Sequence, residues 1–295
     1  MIEKIVVPLD GSVTAEAVLP HVRRLLRLED AEAVFVRAEN PAPVENYVPV
    51  AEAALAAARE YVAGIRERFE KEGAKARSVA RLGAPASVIL DVIREEKASL
   101  VAMATHGRTG LRRLLFGSVA EQLLRKSTVP VLAVRPFWSY ELARPDLGIK
   151  NILVPLDGST TSRAILPRVA EFARLFGARA ILLHALDPKR PADRAGMADY
   201  LKEAAAELRK EKVESISILD EGTPAKMIQD TARAHEVDLV AMTTHGRSGV
   251  SRIITGSVTE EVLRETRIPL LTVRAEPARK AKRKTAKAVA GKGKR

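Results

Sequence analysis

The chain repeats itself. KIVVPLDGS at residues 4–12 returns as NILVPLDGS at 151–159, and THGRTGLRRLLFGSVAEQLLR at 105–125 returns as THGRSGVSRIITGSVTEEVLR at 244–264. Few features constrain a fold more, because two copies of one pattern bury two copies of one core. Units of about 130 residues are too long for solenoid repeats of roughly 20–50 and read as duplicated domains. Asp157 follows Asp10 by 147 residues and His245 follows His106 by 139, so the first copy is eight residues longer between these blocks. The excess is assigned to NPAPVENYVP, residues 40–49, a proline-punctuated loop. Pro136, Pro145 and Gly148 break the pattern between copies. The expected organisation is a first domain at 1–135, a linker at 136–149, a second domain at 150–275 and a tail at 276–295.

Within each copy, short β-branched runs alternate with longer helical stretches. In the first, strands are expected at 5–9, 33–38, 76–81, 100–105 and 130–135, with helices at 14–27, 51–71, 85–96 and 118–126. The second copy reads as strands at 152–156, 180–184, 215–219, 239–243 and 270–273, with helices at 162–175, 195–211, 224–235 and 257–265. This alternation is the pattern of a parallel sheet with helices on both faces, joined by right-handed crossovers. Each domain is expected to be a doubly wound, five-stranded α/β sandwich. Ligands of such sheets sit beyond the carboxyl ends of the strands where strand order reverses, which directs attention to the residues after strands one and four.

Composition narrows the class. The 295 residues suit two ordinary domains, and the absence of cysteine removes a disulfide framework, a thiolate zinc site and a cysteine nucleophile. No run approaches the roughly 18–20 apolar residues of a spanning helix, and MIEKIVVPLDG has no basic-then-apolar leader. A cytoplasmic protein without a membrane partner is expected. The formal charge of +12 is uneven: residues 276–295 hold nine Lys or Arg against Glu276, a tail of +8, which leaves +4 for the body. The isoelectric point therefore does not say what the folded part binds. The tail has no aromatic residue to stack on bases and is expected to be disordered alone. It reads either as a non-specific attachment to DNA, RNA or another polyanion, or as a solubilising end.

Asp10 and Asp157 stand just after the first strand of each copy. Such a carboxylate accepts hydrogen bonds from a ribose or base, holds a metal through water, or closes an Asx-turn by accepting the following N–H groups. After the fourth strand, Gly117 and Ser118 open a helix with Glu121 three residues on, and Ser257 with Glu260 repeats the spacing of a capping box. Free N–H groups at such a helix start form an anion site suited to phosphate, or the segment is simply a capped helix behind a tight turn. His106 and His245 have no paired nucleophile in a recognisable setting and no second histidine at metal spacing, so catalysis by them is not expected. His21, His184 and His235 read as ordinary helix or strand-end residues. Neither the Walker motif nor G-x-G-x-x-G follows a strand, which argues against a standard NTPase or dinucleotide dehydrogenase.

Together, V-P-L-D-G-S, T-H-G-R, the following G-S-V and the closing P-V-L-A-V-R resemble the universal stress protein family in its tandem form, over about residues 1–135 and 150–275. The resemblance implies a five-stranded parallel sheet of order 3-2-1-4-5 in each half. The ATP-binding members are similar to G-x2-G-x9-G-[ST], which is met here by Gly107, Gly117 and Ser118, and by Gly246, Gly256 and Ser257. Ala104 and Thr243 replace its first glycine; alanine adds one methyl, whereas branched threonine crowds the loop more. The ligand so implied is ATP, with Mg2+ as its companion. Pro8, Asp10, Ala38 and Met103 would border base and ribose in the first half, as Pro155, Asp157, Ala185 and Met242 would in the second. Around the phosphates would stand His106, Gly107, Arg108, Gly117, Ser118, Val119 and Ala120, and then His245, Gly246, Arg247, Gly256, Ser257, Val258 and Thr259. The last strand of each copy would be an edge through which the two halves pair, with a homodimer as a further association. Three functions stay open: an adenine-nucleotide binding or sensing protein of the stress response, a nucleotide-independent interaction module, and a slow ATPase or adenylyl transferase.

Overall fold

The computed structural model describes residues 2–28, 30–40, 47–105, 117–135, 148–187, 193–244 and 268–274. The first half contributes strands β1 (Lys4–Pro8), β2 (Glu32–Glu39), β3 (Lys75–Leu82), β4 (Leu100–Ala104) and β5 (Val131–Val134). The second contributes β6 (Asn151–Pro155), β7 (Arg179–Leu186), β8 (Ser215–Glu221), β9 (Leu239–Thr243) and β10 (Leu270–Val273). The central strands are continuous apolar runs, as LVAMA of β4 shows, because helices cover both faces of a parallel sheet.

Within each half the order is the expected 3-2-1-4-5, and the halves pair through their last strands, as the resemblance implied. All ten strands join one sheet, β3-β2-β1-β4-β5-β10-β9-β6-β7-β8. The seam is antiparallel, with Leu270 opposite Ala133, Leu271 opposite Leu132 and Thr272 opposite Val131. The two last strands, each an edge on its own, thus satisfy one another's backbone groups.

Alternation along the strands builds two core layers that run through both halves. Ile5, Val7, Phe35, Leu132, Ile152, Leu182 and Leu271 point to one face. Val6, Val34, Met103, Val131, Leu153, Val240 and Leu270 point to the other. On the first face lie α2 (Leu19–Leu28), α3 (Tyr47–Lys71), α7 (Leu166–Phe176) and α8 (Arg194–Lys210), which bury Leu19, Phe69, Phe172 and Leu208. On the second lie α4 (Pro85–Glu95), α5 (Ser118–Lys126) and α9 (Pro224–Ala234), which bury Val92, Leu123 and Ile228.

Three local expectations are corrected. The helix expected at 14–27 is broken into α1 (Val13–Glu16) and α2, and that expected at 162–175 into α6 (Thr160–Arg163) and α7. Pro20 and Pro167 are the reason: each lacks the N–H that would bond the carbonyl four residues back, so the helix restarts with proline in its first turn. The eight extra residues of the first copy lie in helix rather than loop, since α3 has 25 residues and α8 has 17. Pro49 is accommodated in the first turn of α3, where no intrahelical N–H bond is required. Finally, Ser118 is not a capping residue. Gly117 is the N-cap of α5, without a side-chain bond, and Glu121 N–H donates to the Gly117 carbonyl at 3.1 Å. The helix begins one residue earlier than the serine spacing implied; Ser257 and Glu260 lie outside the described residues, as does the helix expected at 257–265.

Candidate functional site

At the strand-order reversal, β1 and β4 are paired only through Ile5 with Leu100 and Val6 with Val101. β6 and β9 behave alike, through Ile152 with Leu239 and Leu153 with Val240. Beyond these pairs the chains turn away from each other. Leu9 N–H donates to Val36 O at 2.8 Å, toward β2, and Thr105 N–H donates to Val134 O at 2.9 Å, toward β5. In the second half Leu156 leans on Leu183 O at 2.8 Å and Thr244 on Val273 O at 3.1 Å. A crevice between the carboxyl ends follows in each half from this parting of hydrogen bonds.

The Asp-Gly-Ser segments form its near lip. Asp10 Oδ1 accepts the Ser12 N–H at 2.9 Å and the Ser12 hydroxyl at 2.6 Å, while Ser12 Oγ accepts the Ala15 N–H at 3.1 Å and caps α1. Asp157 Oδ1 accepts from Ser159 N and Oγ at 3.0 and 2.5 Å, and Ser159 caps α6 through the Ser162 N–H at 3.0 Å. Gly11 and Gly158 take φ of 81° and 83°, a left-handed conformation that disfavours any side chain. The Asx-turn reading of both aspartates is therefore the one the structure shows, and it holds each carboxylate at a set orientation beside the crevice.

Strand alternation brings Pro8, Ala38 and Met103 to the second face at the ends of three neighbouring strands. Met103 is buried in that layer and Ala38 packs against it partly exposed. Pro155, Ala185 and Met242 repeat this. Ala104 and Thr243, at the first-glycine positions, are 8% and 6% exposed. Across from the lip, Gly117 N–H donates to the Thr105 carbonyl at 2.9 Å, which sets the start of α5 against the end of β4. The first helical N–H groups there, those of Ser118, Val119 and Ala120, precede the first intrahelical bond and have no side-chain cap. His106, Gly107, Arg108, His245, Gly246, Arg247, Gly256, Ser257, Val258 and Thr259 lie outside the described residues.

Behind each aspartate sits a half-buried tyrosine that sequence reasoning missed. Tyr61 donates to Glu16 Oε1 at 2.9 Å, Arg37 lies over its ring at 5.0 Å, and Arg37 pairs with Glu39 at 2.6 Å. Burial, then the Glu16 carboxylate, push the Tyr61 phenol well above its usual range, and Asp10 adds to this through space. Tyr200 matches Tyr61, donating to Ser159 O at 2.8 Å with Arg163 over its ring at 5.3 Å; burial raises its phenol too. His184, as a strand residue, is buried with Nδ1 at 2.7 Å from Leu156 O. The only local signal for the tyrosines is a large polar-tipped side chain on the core-facing stripe of a helix. Among the described residues, no three His, Asp or Glu side chains cluster as metal ligands, and no helix is long and apolar enough to cross a membrane.

Comparison with known proteins gives one answer. The universal stress protein family description matches residues 1–135 and 148–274. A universal stress protein of Methanocaldococcus jannaschii is 32% identical over 139 residues, covering 45% of this chain and 82% of its own. One of Mycobacterium bovis is 28% identical over 204 residues, 64% of this chain and 66% of its own. A solved universal stress protein from Archaeoglobus fulgidus shares the fold with a TM-score of 0.75 at 22% identity, over 92% of this chain and 98% of its own.

Proposed function

This chain belongs to the universal stress protein family, with two of its domains in one polypeptide, and from that premise we propose that it is a cytoplasmic stress-response protein that binds an adenine nucleotide, ATP, without an efficient chemical step. The observation that carries the reading is the parting of β1 from β4 beside an uncapped helix start: the Leu9 and Thr105 N–H groups donate to β2 and β5 in opposite directions. The base would lie against Pro8, Ala38 and Met103, the ribose beside Asp10, and the phosphates at the N–H groups of Ser118, Val119 and Ala120 with Gly107 and Arg108. Such N–H groups and the helix dipole suit an anion.

Gly117 supports the fit. Its φ of −65° is open to any residue, and an added Cβ would meet only Thr105 O at an ordinary 3.7 Å. The fold itself does not demand glycine there, whereas a phosphate approaching the helix start does gain from a missing side chain. Mg2+ would enter with the phosphates rather than on a prebuilt carboxylate cluster. Pro155, Ala185 and Met242 repeat the base-facing row in the second half, where Thr243 brings a branched side chain, so the first half is assigned the tighter binding.

The test is equilibrium binding of ATP with magnesium to the full chain and to Gly117→Val and Gly256→Val variants. Saturable binding, lost in Gly117→Val while the melting temperature holds, is the expected result. No saturation at millimolar ATP would overturn the proposal and favour the second reading, a nucleotide-independent interaction module, to which the buried Thr243 side chain points. Phosphate release in the same samples would show the slow ATPase instead.

A further inference from the structure

At the opposite, amino end of the second half's strands a cleft of about 970 Å3 opens between the starts of β6 and β7, the end of α7 and the turn from α8 to β8. Lys150, Arg174, Arg179 and Lys212 line it, against Glu214 alone. Arg174 is paired with Glu211 at 2.5 Å, and Arg179 Nε donates to the neutral Asn151 Oδ1 at 2.7 Å. Lys150 and Lys212 are exposed and have no acidic partner among the described residues. The Arg24 guanidinium of the first half lies 5.0 Å from the Phe176 ring, whose residue is part of the cleft wall. The nearby Asp238 carboxylate is engaged by the Lys150 and Asn151 N–H groups at 2.7 and 3.0 Å.

The same place in the first half is wired differently. Glu3, Lys4 and Glu32 stand there for Lys150, Asn151 and Arg179, and Gly73 and Lys75 for Lys212 and Glu214. Lys4 bridges Glu32 and Glu96 at 3.4 and 2.9 Å, Arg77 joins Glu96 at 2.9 Å, and Lys75 pairs with Asp30. The fold is thus built equally well with this end neutralised. In the second half Lys150 and Arg179 replace Glu3 and Glu32, and four cations face Glu214 alone in the lining of the concavity, an excess of positive charge that favours an anion.

We propose that this cleft binds a small, multiply charged phosphate anion, held by the guanidinium forks of Arg174 and Arg179 and the point charges of Lys150 and Lys212. Its volume falls within the roughly 300–1,000 Å3 of small-molecule sites. Glu211 and Glu214 beside the cations disfavour an extended nucleic acid running past the rim. The site lies at the far end of the strands from the nucleotide crevice and does not depend on it.

The test uses inorganic tripolyphosphate, which has no base, on the full chain at low salt. Lysine acetylation footprinting reads the site locally, so the basic tail does not obscure it. Tripolyphosphate is expected to protect Lys150 and Lys212 but not the exposed Lys97. Calorimetric affinity is expected to fall at least about tenfold in a Lys150→Glu, Lys212→Glu double variant, and to hold in Gly117→Val. Both lysines are exposed, so the double variant keeps its fold. Absent protection, equal affinity in the double variant, or stronger protection by duplex DNA at matched phosphate concentration would each overturn the proposal.

Discussion

Tyr61 donates its phenolic hydrogen to Glu16 across 2.9 Å and so ties α3 to the short helix that follows the first Asp-Gly-Ser turn. In the second half Arg163 stands where Glu16 stands, 147 residues on, and Tyr200 donates to the Ser159 carbonyl instead. The accompanying ion pair is inverted: Arg68 contacts Glu16 at 3.5 Å in one half, and Arg163 contacts Glu207 in the other. Opposite wirings hold the same helix to the same turn, so the duplicates have diverged beside Asp10 and Asp157 while both keep the Asx-turn and the serine-capped helix.

Exchanging the wiring tests this. Glu16→Arg alone removes the acceptor of a half-buried hydroxyl and sets like charge beside Arg68, with an expected loss of about 1–2 kcal/mol. Adding Arg68→Glu recreates the second half's polarity and is expected to return at most about 1 kcal/mol, because Arg68 is half exposed. Urea unfolding of the single and double variants measures both steps; a double variant no more stable than the single one would show that the pair contributes nothing.

Stability is expected to fall in alkali through the same tyrosine. Burial and Glu16 raise the Tyr61 phenol, so above about pH 10 the folded state keeps a proton that the unfolded state releases. The stabilisation is complete below the unfolded value and is lost as pH rises toward the folded one. Denaturant unfolding from about pH 9 to 11.5 should show a slope that Tyr61→Phe flattens. Equal slopes in both proteins would refute the assignment.

In acid, His21 sets the expectation. Burial, then the Arg24 charge, depress its imidazole to about 4. Between the unfolded value near 6.5 and that of the fold, only the unfolded chain takes up the proton, so stability is full above this window and declines as pH falls through it. The loss attributable to His21 is on the order of 2 kcal/mol. His21→Gln should lose correspondingly less between about pH 7 and 4.5 in chemical unfolding, and an unchanged loss would place the acid sensitivity elsewhere.

Separation of the halves should expose the seam. Residues 1–135 alone would leave β5 without β10, and an unpaired apolar edge seeks another. Light scattering is expected to find this fragment dimeric and to find the dimer replaced by a heterodimer when residues 148–295 are added. A monomeric fragment that ignores its partner would mean that the helices, and not the strand ladder, hold the halves together.

Much of the fold could be read along the chain. The strand runs and the Asx-turns, one of the readings of Asp10 and Asp157, depend on residues close in sequence, and repetition displayed each of them twice; the strand order came from the family resemblance. The misplaced cap at Ser118 shows the limit of spacing rules: serine and glutamate stood three apart, yet the carbonyl that begins the helix belongs to Gly117. The extra turns of α3 were hidden because Pro49 reads as a loop residue, although a helix tolerates it in the first turn.

The sequence by itself determined two α/β units, their strand and helix runs, and the place where a ligand would be sought, since these rest on periodicity and local turns. Only the tertiary structure decided that the seam is antiparallel with Leu271 opposite Leu132, that Tyr61 meets Glu16 across 45 residues, and that Lys150, Arg174, Arg179 and Lys212 gather at one cleft. Thr272 bonds the Val131 carbonyl across 141 residues. Which edges and side chains meet over such separations is settled by how packed layers come together, a property of the assembled core that no local pattern encodes.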